Sequence, residues 1–110
     1  MDRSHRHRKI HRQAFYGDES PREFIDWAKH MGRYFGQFDY DPYVMFSKAF
    51  SCLQSRALRW FERVEDRYYR TGRDDIETFG ELLYCMVRHY APDHDPYEIS
   101  DYVWRIIDRY

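Results

Sequence analysis

The chain has 110 residues, 34% of them charged, and a formal net charge of −1, which allows one domain with one core and no bulk charge to dictate a partner. No apolar run approaches the ~20 residues of a membrane helix, and the polar start lacks the apolar segment of a secretory signal. Two cysteines, Cys52 and Cys85, make no disulfide framework and fit a reducing compartment. Both fall within apolar helical patterns and are expected to be small buried hydrophobes.

Charge is unevenly placed. Residues 1–12 carry Arg3, Arg6, Arg8, Lys9 and Arg12 against Asp2, a net of +4, which leaves −5 for the remainder. Residues 1–13 therefore read as a basic arm, extended or disordered. Such an arm suits RNA or an acidic partner, although a plain solvated tail has the same composition. His5, His7 and His11 in it are not read as a metal site.

Residues 14–110 read as one helical domain. Ala14-Phe15-Tyr16-Gly17-Asp18 is an aromatic entry ending in a turn. Ser20-Pro21-Arg22-Glu23 is a helix start, with Ser20 as cap, Pro21 at the first helical position and Glu23 completing a capping box. Phe24, Trp27, Ala28, Met31 and Phe35 make its apolar stripe, with Ile25 and Tyr34 at the edges, and Gly36 ends it. Asp41-Pro42 opens a second helix, whose apolar face is read as Phe46, Ala49, Phe50 and Leu53.

After a break at Gln54-Ser55 comes a stretch with Ala57, Phe61, Val64 and Tyr68 at helical spacing. Leu58 and Trp60 flank this stripe. Arg59, Glu62, Arg63, Asp66, Arg67 and Arg70 form the face expected in water. This stretch is expected to be the central helix of the domain, stopped at Thr71-Gly72 by a left-handed glycine. Arg73-Asp74-Asp75 is a loop.

Thr78-Phe79-Gly80-Glu81 is a second capping box, opening a stripe of Phe79, Leu82, Leu83, Met86, Val87 and Tyr90 that Pro92 stops. Asp95-Pro96-Tyr97-Glu98 opens a fifth helix with Ile99, Tyr102, Val103, Ile106, Ile107 and Tyr110. That pattern runs to the last residue, so the chain is expected to be cut within or directly after a helix. No strand alternation or internal repeat is present. The fold expected is all-α, a bundle of about five helices with short links.

Catalytic chemistry finds no foothold. Asp41, Asp95, Glu23, Glu81 and Glu98 are read as helix-start acids, and Asp74-Asp75 and Asp93/Asp95 as loop or cap residues. Cys85 and His89 have the spacing of two metal ligands, with His94 nearby, but no fourth ligand is suitably spaced. The chain has no Gly-rich phosphate loop, nucleophile elbow, Asp-Ser/Thr-Gly signature or zinc knuckle. The reading is of a non-enzyme without a cofactor, a bound metal or a small-molecule substrate.

Several features line up in order: Phe15-Tyr-Gly17-Asp, Glu23-Phe24-Ile-Asp-Trp27, Tyr34-Phe35, Leu53, Ala57, Arg59-Trp60-Phe61, Ile76-Glu-Thr78-Phe79, Leu82, Met86 and His89-Tyr90-Ala-Pro92. This ordered set resembles the Gag capsid region, N-terminal lobe, of gypsy-type LTR retrotransposons, particularly those of plants. It covers about residues 8–110. Phe79 stands where the family usually has Trp, Tyr90 where it often has Phe, and Gln54 where a small residue is common. The second helical lobe and the zinc knuckle of family members are absent from this sequence.

The resemblance implies a structural protein: a capsid lobe that self-assembles with other Gag copies around the element's RNA, in a cytoplasmic virus-like particle. The basic arm would then touch RNA. The alternative it implies is a host-adopted interaction module that binds peptides or partner helices without assembling. Trp104, Tyr69 and Tyr84 each lie off the apolar stripe of their own helix. They are expected to be exposed and to form an assembly surface, with Trp104 meeting either a second lobe or a neighbouring subunit.

Overall fold

The structure, a computed structural model, describes residues 13–95. The basic residues 1–12 and the fifth predicted helix, with Trp104, lie outside the described residues. Within them the chain is all-helical: α1 (Pro21–Gly36), α2 (Pro42–Ser51), α3 (Ser55–Arg70) and α4 (Phe79–Tyr90). No helix among the described residues is long and apolar enough to cross a membrane.

The helix ends follow the side chains that satisfy their unpaired amides. Ser20 Oγ accepts the Glu23 amide at 3.2 Å, while the Glu23 carboxylate accepts the Ser20 amide at 3.1 Å. Hydrogen bonding to Ser20, first from its backbone amide and then from its side chain, holds the Glu23 carboxyl below its ordinary pKa. Asp41 caps α2 by accepting the Val44 amide at 2.9 Å. At α4 the reciprocal pair is Thr78 and Glu81. Gly72, at φ +71°, ends α3 with a doubled C-terminal motif, in which Arg73 N–H donates to the Tyr68 carbonyl and Gly72 N–H to the Tyr69 carbonyl. Gly36 works differently. The chain leaves α1 through Gln37 in a right-handed conformation (φ −80°), with no left-handed residue.

α3 starts without a side-chain cap. Gln54 is a poor capping residue, and Ser55 sits at φ +49°. The preceding aromatic segment supplies the missing partner. The Tyr16 carbonyl accepts the Ala57 amide at 3.0 Å, Phe15 N–H donates to the Cys52 carbonyl at 2.8 Å, and Gln54 N–H donates to the Phe15 carbonyl at 2.8 Å. These bonds form an isolated parallel bridge between Phe15 and Leu53. No periodicity in the sequence pointed to it.

Two expectations about the core are corrected. α3 is not the hub. α4 is the helix that packs on both α1 and α2. Its Phe79, Leu82, Leu83, Met86 and Val87 are all fully buried, whereas α3 offers the core a narrower strip, Ala57, Trp60, Phe61 and Val64. The face of α2 is also rotated by one position. Met45, Ala49, Cys52 and Leu53 are buried, while Phe46 and Phe50 are half-buried, packing at 5.9 and 5.4 Å from Phe61. Met45, Phe46, Ala49, Phe50 and Tyr43 spread over a wide arc of this short helix, so its spacing alone did not select a face. Trp60 is likewise more buried than the edge position expected of it, and Cys85 is less buried than expected.

Because α4 joins the other helices, its cap matters beyond its own length. Thr78→Ala should destabilise the domain by about 1 kcal/mol, as typical of a lost N-cap. Urea denaturation of the two proteins measures this, and an unchanged midpoint would show that Glu81 holds the turn alone.

Candidate functional site

Most of the residues that carry the capsid resemblance come from far apart in the chain and meet in one core. Phe15 is fully buried, with ring centres 5.6 Å from Phe24, 5.2 Å from Trp27 and 4.9 Å from Tyr90. Trp27 also donates its indole N–H to the Gln13 carbonyl. Phe35 and Phe79 meet edge-to-face at 4.9 Å. Leu53 and Ala57 join through the backbone pairing with Phe15 and Tyr16. Phe61 closes the α2 side and Trp60 the Tyr90 side, at 5.3 Å. Thr78 caps α4, and Pro92 stands exposed just beyond the helix.

Gly17 has a role only the structure reveals. Its φ is +95°, and a Cβ there would lie 2.6 Å from the Ala57 backbone nitrogen. The turn is held from the other side by Glu19, whose carboxylate accepts the amides of Tyr16, Gly17 and Asp18 at 2.9, 2.8 and 3.1 Å. Glu19 was missed by sequence reasoning. An acid two residues after a turn glycine was the available signal.

The expected assembly residues are exposed where described, Tyr69 at 82% and Tyr84 at 41%. Tyr84 lines a cleft between α3 and α4 together with Trp60, Tyr68 and Arg88, and Tyr69 is not among the residues that line it. The cleft holds about 400 Å³. A second hollow of about 370 Å³ adjoins it, sharing Trp60 and His89 and flanked by Arg56, Arg59 and Arg63.

At the junction His89 lies flat on Trp60, 4.8 Å between ring centres at an interplanar angle of 18°. Partial burial there, and then the Arg63 charge, hold the imidazole pKa below its ordinary value and favour its neutral form. Tyr90 beneath it is pushed up to about 12 by burial, with Glu19 adding and Arg63 opposing. In the cleft floor the Tyr68 hydroxyl lies 3.4 Å from Cys85 Sγ. This contact raises the Tyr68 pKa, with burial adding to it. Arg73 stacks over the Tyr68 ring at 4.3 Å. Cys85 and His89 thus make different contacts, and among the described residues no three His, Cys, Asp or Glu side chains converge as a metal-binding group.

Comparison with protein-family models, curated proteins and solved structures gives no match.

Proposed function

We propose that this chain is a structural capsid domain of a gypsy-type retrotransposon Gag, which self-associates around the element's RNA in a cytoplasmic particle and carries out no catalysis. The observation that supports this reading is the convergence of the ordered resemblance set. Phe15, Phe24, Trp27, Trp60, Phe61 and Tyr90 interlock in one core, as positions kept for a shared fold would. Gly17, the third residue of the entry motif, is required by a backbone approach that no side chain permits.

Sedimentation velocity of the full chain with and without RNA, with electron microscopy of the fast fraction, tests this. Large RNA-containing assemblies are expected. Trp104→Ala and Tyr69→Ala are expected to reduce their yield while leaving the melting temperature nearly unchanged. A wild type that stays monomeric at every concentration, with and without RNA, would overturn the capsid reading.

One observation favours a second reading, that of a host-adopted binding module. The α3–α4 cleft, lined by Tyr68, Tyr84 and the edge of Trp60, offers aromatic surface for a peptide. A monomer that binds a peptide in this cleft would replace the capsid reading with that one.

A further inference from the structure

Arg56, Arg59, Arg63, Arg67 and Arg70 follow one another on α3 at steps of three, four, four and three residues. At about 100° per residue this places all five within one narrow stripe of the helix, running about 21 Å along its axis. All five are exposed. Arg70, at one end of the row, is ion-paired with Asp66. Of the acids of α3, Glu65 lies on the opposite side and Glu62 on the flank away from α4, while Asp66 borders the row and pairs with Arg70. Glu19, the acid near the other end, is occupied by three backbone amides.

The flank toward α4 is different. There the row borders the two adjoining hollows, so that Arg56, Arg59 and Arg63 rim one and Arg67 the other, with Arg88 on the α4 wall and Arg73, over the Tyr68 ring, at the end of α3. The structure thus brings six arginines to one trough, although residues 13–95 hold 11 basic against 15 acidic side chains. Aromatic faces interrupt the charge: His89, backed by Trp60, and Tyr84, exposed at 41%, with the Arg88 guanidinium over one side of its ring and donating to its hydroxyl at 3.2 Å.

We propose that this trough binds single-stranded RNA, with the α3 arginine row following the phosphodiester backbone and the His89 and Tyr84 rings offering surfaces on which bases stack. Cations at regular intervals beside aromatic planes are what such a strand requires. An acidic peptide could neutralise the arginines but would leave the two rings without a matching partner. The choice of RNA as the physiological strand rests on the capsid reading, whereas the cationic trough does not. It places an RNA contact on the folded body, separate from the basic arm.

The test uses the full chain and a fluorescein-labelled U20 RNA, followed by anisotropy across a salt series. Arg56→Gln/Arg59→Gln/Arg63→Gln is expected to weaken binding about tenfold or more and to lower the salt slope by about two, at roughly 0.7 per lost contact on a single strand. The matched control Arg22→Gln/Lys29→Gln/Arg33→Gln, on α1, is expected to change affinity less than threefold. The corresponding triple Arg→Lys variant of the row, which keeps the charge, is expected to keep most of the binding and so excludes a folding defect.

Equal losses in row and control variants would reduce the effect to net charge and overturn the proposal. Wild-type affinity in the row variant, with binding lost on neutralising Arg3, Arg6, Arg8, Lys9 and Arg12, would overturn it in favour of the arm. Competition by polyglutamate as effective as by unlabelled RNA would overturn it in favour of an acidic protein partner. Sedimentation of the same variants separates the two readings. RNA binding that depends on the row, in a protein that never assembles, sinks the capsid reading and leaves the trough standing.

Discussion

Gly17→Ala should destabilise the domain by about 2–5 kcal/mol. Two costs combine. An L-residue held at positive φ is disfavoured by about 1–2 kcal/mol, and forced overpacking adds roughly 1–3 kcal/mol. The new Cβ would meet the Ala57 nitrogen at 2.6 Å. That atom is backbone, hydrogen-bonded to Tyr16 and anchored in the first turn of α3, so it cannot rotate away as a side-chain tip could. Gly72→Ala is the matched comparison. Gly72 also has positive φ, +71°, but a Cβ there meets nothing within 4 Å. It should show the conformational cost alone, about 1–2 kcal/mol. Urea denaturation of both variants measures the difference. Equal losses would mean that the entry segment shifts freely and that the Tyr16–Ala57 contact contributes little.

Phe61→Ala should cost about 3–5 kcal/mol, the range for truncating a buried aromatic residue. Phe61 is fully buried between the α2 rings Phe46 and Phe50 and its neighbour Trp60. The half-exposed α2 rings cannot close over the cavity without leaving their own positions. A small domain has only about 5–15 kcal/mol in total, so this variant should be partly unfolded near 37 °C. Trp60→Ala should cost less, because one face of Trp60 rests on the exposed His89 rather than on core. Thermal melts followed by circular dichroism test the order of the two. A Phe61→Ala melt like that of wild type would show that the α2–α3 contact is not part of the cooperative core.

The helices were legible because their ends are written in local chemistry. Ser20 with Glu23, Asp41 with Pro42, Thr78 with Glu81, and Gly72 each act within four residues of themselves, and a sequence displays such signals directly. The aromatic entry segment could be read as a turn, but not as a partner of Leu53, because backbone pairing across so many residues has no period to follow. The hub was misassigned for a related reason. The regular stripe of α3 is conspicuous beside its charges, whereas the role of α4 depends on neighbours supplied by the fold.

The candidate site shows the same division. The spacing of Arg56, Arg59, Arg63, Arg67 and Arg70 was available in the sequence, where part of it reads as an ordinary wet face. Only the approach of α4, bringing Arg88, His89 and Tyr84 alongside, turns that face into one wall of a trough.

The Phe15–Leu53 pairing carries a kinetic consequence. It joins segments separated by the whole of α1 and α2, so forming it requires closing that long loop, an entropic cost of about 3 kcal/mol before any contact energy returns. Contacts of such sequence separation slow folding relative to helix–helix neighbours. The start of α3 has no side-chain cap of its own, and its Ala57 amide is shared between the local Gln54 carbonyl and the distant Tyr16 carbonyl. The first turn of α3 therefore cannot reach its final stability while a nascent chain is still folding locally. It matures only when the entry segment returns across α1 and α2 to meet it.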